Sequence, residues 1–193
     1  MRLLMATALL LSLAAPVAPA GAQTTGAGFD AALSPSLAAV ARNMHATIRR
    51  DLAEAAALMT DADYSFRPTD ATRTVGQLVG HVASANFFFC SQAAGEPMPT
   101  QTNFEAQADR STVLKGLQDS LAYCDKVYGA TTDATYNQQV KMGGPPGAPP
   151  TVTVRGAVLQ FNTAHNNEHY GNLVVYMRLR GKVPPSTART QSR

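Results

Sequence analysis

Two histidines four residues apart, His165 and His169, are the side chains of this sequence best placed to share one chemical task. If their segment is helical, both imidazole rings leave the same face of the helix about one turn apart. Two ring nitrogens in that arrangement can bind one metal ion, and histidine is the commonest metal ligand. Because two ligands do not complete a site, the pair predicts a metal centre only if another element supplies a third.

His81 is the strongest candidate for the third ligand. The apolar residues around it recur at helical spacing, and they are Leu78, Val82, Ala85 and Phe89. A lone histidine on such a face is usually a hydrogen-bonded core residue. Three neutral imidazoles from two helices, however, would bind a metal and leave coordination positions open, as a catalytic site requires. His45 lies one step off the apolar stripe of its own segment, which favours a surface or structural role over ligation.

Several polar side chains occupy the same turns as the histidine pair, and they are Asn162, Asn166, Asn167 and Glu168. Metal-bound imidazoles usually donate their second N–H to a carboxylate or carbonyl, so some of these residues could hold the rings in place. Glu168 has two further interpretations, as a general base for a water molecule at the metal or as a solvated helix residue. These alternatives stay open at this point.

Residues 165–169 also match the H-x-x-E-H motif of the inverted zincin proteases. Resemblance to that family would require a further acidic ligand well downstream of the motif. No Asp or Glu follows Glu168 in this sequence. The protease interpretation therefore fails.

The elements that must position these side chains are helices. Four segments of bundle length show apolar residues at three- and four-residue steps, together with helix start and stop signals. They begin near Ser34 or Ser36, at Thr74, near Asp109 and near Thr153, and they end near residues 59, 95, 128 and 180. No strand pattern is strong, so the prediction is an all-α four-helix bundle. A Gly- and Pro-rich loop at 143–150 is either ordered over a site or mobile.

The N-terminal residues predict export. Arg2 is followed by an apolar run over 3–15 and by a small-residue cleavage site at 20–22, which together are typical of a signal peptide at 1–22. The run is too short to span a bilayer, and no second one follows. The predicted organisation continues with a flexible leader at 23–33, the bundle at 34–183 and a basic C-terminal tail at 184–193. The expected location is periplasmic or secreted.

Export changes what the two cysteines, Cys90 and Cys124, are expected to do. In an oxidising compartment a single pair usually forms a disulfide. Closing a loop of this length stabilises a protein by roughly 3–4 kcal/mol in the chain-entropy model. The alternative, in which one cysteine is a nucleophile or a metal ligand, is less favoured.

The charge balance argues against a nucleic-acid partner. The formal net charge is only +3, and the 15% of charged residues show no basic patch interleaved with aromatic residues. A hydrophobic content of 45% is typical of a folded globular chain. The expected partner is a small-molecule substrate or ligand.

Three segments resemble the DinB-like superfamily, also described as DinB/YfiT-like metalloenzymes. They are Phe66-Arg67-Pro68, the run from Arg73 to Ala83, and the run from His165 to Asn172, and the similarity spans about 36–182. The resemblance implies a four-helix bundle with a long crossover, often assembled as a homodimer. It also implies a divalent metal (Zn, Ni or Fe-like) bound by the histidines that match His81, His165 and His169.

Characterised members of that superfamily include thiol-dependent S-transferases, hydrolases and isomerases. The resemblance therefore implies a metal-dependent hydrolase or transferase acting on a small molecule, in an exported subgroup. Two alternatives remain, namely a non-catalytic module that binds a metal or ligand, and a structural bundle without metal. The thiol cosubstrates that the relatives use are found in the cytosol. An exported protein would not meet them there, which weakens the transferase interpretation.

Overall fold

Helices form the framework of the chain. The computed structural model describes residues 36–144 and 148–191, and all elements named below lie there. In chain order they are α1 (Leu37–Leu58), α2 (Asp61–Tyr64), α3 (Val75–Ala94), a 3-10 turn (Phe104–Ala106), α4 (Arg110–Ala130), α5 (Asp133–Tyr136), β1 (Gln139–Met142), β2 (Thr151–Val154), α6 (Arg155–Leu179) and α7 (Pro185–Gln191). The predicted signal peptide, the leader and residues 145–147 of the Gly/Pro loop lie outside the described residues.

Side-chain caps set the starts of three of the four long helices where the sequence predicts them. The Ser36 and Asp109 side chains accept hydrogen bonds from the first turns of α1 and α4. Thr74 and Gln77 form a reciprocal capping box at the start of α3. This helix ends at Gly95, whose φ of 74° is a left-handed conformation that glycine adopts without steric cost.

The long helices pack as a bundle. Helix α1 packs against α4 and α6, and α3 packs against the same two helices, so α1 and α3 lie at opposite corners. Buried apolar residues fill the interior in two clusters, one of them centred on Leu117 and Leu173 and the other on Val158 and Leu159. The predicted all-α four-helix bundle is confirmed.

A short hairpin adds to this bundle and corrects two details of the sequence analysis. Strands β1 and β2 pair antiparallel, with Gln139 opposite Val154, although no strand pattern is strong in the sequence. Helix α6 begins at Arg155, because Thr153 belongs to β2. Val154 supplies no side-chain cap, since the strand runs directly into the helix.

The connection between α3 and α4 approaches the bundle closely through the 3-10 turn. A Cβ atom at Gly80 would overlap the carbonyl of Phe104, and one at Gly116 would overlap the Phe104 ring. These two glycines let the turn lie flat against α3 and α4. The turn therefore brings Glu105 to the side of α3 that carries His81.

The predicted C-terminal tail includes the short helix α7, which packs on α1. The Tyr170 hydroxyl donates a hydrogen bond to Ser186 over 2.8 Å. No described helix has both the length and the apolar character that crossing a membrane requires.

A carboxylate in α2 holds the end of α6. Asp63 accepts a hydrogen bond from Arg180 over 2.8 Å and lies 3.2 Å from the ammonium of Lys182. Burial alone would raise the pKa of Asp63, but hydrogen bonds from Arg180, Thr60 and Lys182 hold it well below its usual value. The ionised carboxylate of Asp63 thus joins α2 to the C-terminal end of α6.

Candidate metal centre

Three histidines meet between α3 and α6. The Nε2 atom of His165 lies 3.1 Å from Nε2 of His81 and 3.0 Å from Nε2 of His169. The donor atoms of all three rings lie within 4.8 Å of one another. Among the described residues, no other group of three or more His, Cys, Asp or Glu side chains is gathered in this way. The structure thus brings together the three histidines that the sequence predicts as metal ligands.

Helical spacing and an aromatic neighbour orient these rings. His165 and His169 stand one turn apart on α6, and their ring centroids are 4.3 Å apart. The ring of Phe89 on α3 meets the His165 ring edge-on, at a centroid distance of 5.6 Å. His169 is buried, while His81 and His165 are half-buried. The rings are therefore held by packing while the centre keeps access to solvent.

The two histidines of α6 are neutral at pH 7. Burial, followed by the neighbouring His169 and His81, lowers the pKa of His165 to about 4. Burial, followed by His81 and Arg73, lowers the pKa of His169 to about 4. A neutral imidazole offers the lone pair that a metal ligand needs.

Glu105 fixes the tautomer of His81. Its Oε2 lies 2.9 Å from Nδ1 of His81, and its Oε1 accepts a hydrogen bond from Nε of Arg73 over 2.8 Å. Burial alone would raise the pKa of Glu105, but the hydrogen bonds from Arg73 and His81 lower it. An ionised carboxylate only accepts hydrogen bonds, so Nδ1 of His81 carries the proton. In the neutral ring, Nε2 then carries the lone pair that faces His165.

This donor set fits a divalent metal. Two imidazole nitrogens bound to one tetrahedral zinc ion at about 2.0–2.1 Å would lie about 3.3 Å apart. The Nε2 atom of His165 lies at close to this distance from Nε2 of His81 and from Nε2 of His169. One N–H···N hydrogen bond pairs only two of the three Nε2 atoms that meet here. Because Nε2 of His81 presents a lone pair, a cation is a better common partner for the three atoms than a single proton. Metal-bound histidines are also commonly oriented by a carboxylate that accepts their second N–H, as Glu105 accepts from His81 here.

The structure places the remaining candidates elsewhere. Glu168 is exposed on α6, and it makes no hydrogen bond or ion pair within the described parts of the chain. Its charge raises the pKa of His165 slightly against the larger effect of burial. His45 is buried, stacks on Tyr128 at a centroid distance of 4.0 Å and lies 3.0 Å from Asp125. The structural role predicted for His45 is confirmed, and a surface position is wrong.

Two of the asparagines near the pair have hydrogen-bond partners in the core. The Asn166 amide donates to Asn86 over 2.9 Å. The Asn162 amide lies 3.3 Å from the Tyr128 hydroxyl and close to both sulfur atoms of the disulfide. Asn167 donates to the carbonyl of Thr163, one turn earlier in α6.

The predicted disulfide is present between Cys90 of α3 and Cys124 of α4, with a Cα–Cα distance of 5.4 Å. Both cysteines are fully buried. The bridge lies about two and a half turns along α3 from His81. It therefore ties α3 to α4, while the histidines lie between α3 and α6.

Glu105 contacts the histidine centre and Arg73 contacts Glu105, although no pattern in the sequence predicts either position. Glu105 lies in a polar connection without periodicity, 24 residues from His81. Arg73 belongs to a segment that resembles the DinB-like motif, but nothing in its local pattern assigns it a partner. The one signal in the sequence is that Glu105 is an acidic residue in the connection after α3, where a carboxylate could reach a histidine of that helix.

Comparison with known proteins agrees with this architecture. The family model described as the DinB superfamily matches residues 44–173, a range that includes all three histidines. A DinB-like protein from Bacillus cereus ATCC 10987 superposes with a TM-score of 0.61 at 16% identity, covering 74% of this chain and 94% of that one. The DinB-like protein YjoA from Bacillus subtilis gives a TM-score of 0.56 at 18% identity, covering 74% and 93%. These structural similarities show the fold. No curated protein matches the sequence.

Proposed function

The chain belongs to the DinB superfamily, and on this basis we propose that it is an exported metal-dependent hydrolase or transferase of small molecules. His81, His165 and His169 would hold a divalent metal, which is zinc, nickel or iron by resemblance to the superfamily. The observation that carries the proposal is the convergence of three Nε2 atoms from two helices at 3.0 and 3.1 Å. When bound, the metal supplies a Lewis acid that lowers the pKa of a thiol or water molecule.

The chain's own residues prepare this centre. Glu105 holds His81 in the tautomer whose Nε2 can bind a metal, and burial keeps His165 and His169 neutral. Three protein ligands leave coordination positions for a substrate, which is the pattern of catalytic sites and not of closed structural ones. This arrangement supports a catalytic role over that of a structural bundle.

Glu168 as a general base stays a prediction. The carboxylate is exposed on the same helix as two of the ligands. If it acts as a base, Glu168→Gln keeps the metal and loses turnover of the substrate. A non-catalytic binding module has no turnover to lose.

Export is supported by the disulfide between Cys90 and Cys124, because such bonds persist mainly in oxidising compartments. The signal peptide at 1–22 and the homodimer implied by the superfamily stay predictions.

Metal analysis of the purified protein tests the proposal. We expect about one divalent ion per chain and a higher melting temperature after addition of Zn²⁺ or Ni²⁺. The double variant His165→Ala/His169→Ala should lose both effects. The control is His45→Asn, which changes a buried histidine outside the centre and should keep the metal. A double variant that retained full metal would refute the proposed site, and an unresponsive wild type would favour a structural bundle.

A further inference from the structure

An open cleft of about 610 Å³ lies beside the histidine centre. Its lining includes Arg73, Gln77, Glu105, Asn172 and Tyr176. Glu105 belongs to both sites, since one of its oxygens contacts a ring of the centre and the other contacts Arg73. The cleft therefore shares a wall with the proposed metal site.

Helix positions explain this proximity. Gln77 precedes His81 by one turn on α3, and Asn172 follows His169 by about one turn on α6. The cleft thus continues the groove between the two helices beyond the rings. A small molecule bound there would have one end near the histidines.

We propose that this cleft binds a carboxylate group of the substrate and that Arg73 recognises it. This inference rests on the proposed function, since it names the chemical class of the substrate for the same site. Arg73 would be a specificity residue that binds a group remote from the reacting end of the molecule.

The guanidinium of Arg73 is held in place while its terminal nitrogens stay available. Its Nε donates to Glu105, and the Tyr176 hydroxyl donates to its backbone carbonyl over 3.0 Å. The side chain is 44% exposed, and its terminal nitrogens make no hydrogen bond in the described part of the chain. A guanidinium whose two terminal NH₂ groups are free can donate two parallel hydrogen bonds to the two oxygens of a carboxylate.

Two amides add uncharged donors to the same cleft. The Gln77 side-chain oxygen accepts a hydrogen bond from the Thr74 backbone, so its NH₂ group has donors to spare. The Asn172 side chain is exposed and makes no hydrogen bond to a described residue. The cleft therefore presents N–H donors from one cation and two amides, a set that suits an acceptor-rich ligand.

The geometry of the cleft favours a carboxylate over a phosphate. Glu105 lines the cleft and accepts the Nε–H of Arg73, so the two NH₂ groups at the end of the guanidinium are the part left for a ligand. Two parallel N–H donors match the two oxygens of a planar carboxylate. The further oxygens of a phosphate would find no second cation, because Arg73 is the one cationic side chain among the described residues that line the cleft.

Binding of a matched pair of probes tests the inference. Butyrate and butyramide have similar shapes and differ in charge, and their dissociation constants can be measured by NMR titration of the purified protein after incubation with one equivalent of Zn²⁺. We expect butyrate to bind at least tenfold more tightly than butyramide. Arg73→Gln should abolish this preference. Arg67→Gln is the control, because Arg67 is an exposed arginine that does not line the cleft, and it should leave the preference unchanged.

Arg73→Gln has two effects, since it removes the proposed partner of the ligand and also a hydrogen-bond partner of Glu105. A second variant separates the two effects. Asn172→Leu leaves the pair of Arg73 and Glu105 in place and should weaken butyrate binding severalfold without changing the metal content. Equal binding of the two probes, no binding of either, or tighter binding of inorganic phosphate would overturn the inference.

Metal content measured on the same samples identifies which proposal fails. Full metal with no preference for butyrate contradicts only the carboxylate site. Absence of metal together with an Arg73-dependent preference for butyrate contradicts the proposed function and leaves the carboxylate site standing as an anion-binding cleft.

Discussion

Glu105 decides which nitrogen of His81 is free for a metal. Because its ionised carboxylate can only accept, it orients the His81 ring and leaves Nε2 as the lone-pair atom. The same carboxylate steadies Arg73 at the wall of the cleft. One residue thus couples the orientation of a ligand to the position of the cation that we propose to recognise the substrate.

Replacement of Glu105 by Gln should weaken metal binding by about 10- to 100-fold, the range typical for loss of a group that orients a ligand. The amide keeps the size of the side chain but loses the charge that favours the Nδ1–H tautomer. Competition with a chromogenic chelator measures the change. The control is Glu168→Gln, which alters an exposed carboxylate without a contact to the rings and should leave the affinity unchanged. Equal affinities of wild type and Glu105→Gln would refute the role.

The three histidines were predictable because helical periodicity alone places them. A four-residue step brings His165 and His169 to one face, and the apolar face of α3 carries His81 inward. Glu105 was not predictable in this way, since a three-residue 3-10 turn has no periodicity and its position depends on contacts across the fold. Glu168 lies nearer in sequence to the pair but has no hydrogen bond to the rings.

The 3-10 turn is the element that carries Glu105 to the centre. It reaches α3 only because Gly80 has no side chain, and it reaches α4 at Gly116 for the same reason. Close approach of backbone to backbone leaves little room for adjustment. The geometry of the His81 environment therefore depends on the residue that immediately precedes His81 in the chain.

Gly80→Ala should destabilise the protein by about 1–3 kcal/mol, because the added methyl group overlaps the Phe104 carbonyl and forces the backbone of the turn to move. Metal affinity should fall as well, since Glu105 moves with the turn. Urea unfolding and chelator competition measure the two effects.

Gly171→Ala on α6 is the matched control for Gly80→Ala. A Cβ there meets nothing within 4 Å, and alanine favours a helix by about 1 kcal/mol over glycine, so stability should stay equal or rise. If Gly80→Ala were as stable as this control, the turn would not be held as described.

Caps and stop signals made the helices predictable, whereas the hairpin escaped detection. Thr74 and Gln77 form a capping box at the predicted start of α3, and this helix ends at Gly95, close to its predicted end. Strands β1 and β2 have only four residues each and flank a Gly- and Pro-rich stretch. Such short strands depend on pairing with each other and on contacts with the helices, which local sequence does not encode.

In the whole molecule, α3 is connected on two sides. The disulfide joins it to α4, and the histidine centre lies where it packs against α6. These two helices are its neighbours in the bundle, while α1 lies at the opposite corner. The covalent bond therefore limits the movement of the helix that contributes His81.

Loss of the disulfide should lower the free energy of unfolding by roughly 3–4 kcal/mol, because the bridge spans 34 residues and restricts the unfolded chain. For a chain of this size the melting temperature should fall on the order of 10 °C. Protein refolded in the presence of reductant is the sharpest comparison, since it has the same non-hydrogen atoms without the bond. The Cys90→Ala/Cys124→Ala variant should agree with it, apart from the packing lost at the buried sulfurs.

Equal stability of the oxidised and reduced forms would contradict a stabilising bridge. Two free thiols in the non-reduced exported protein would show that the bridge does not form.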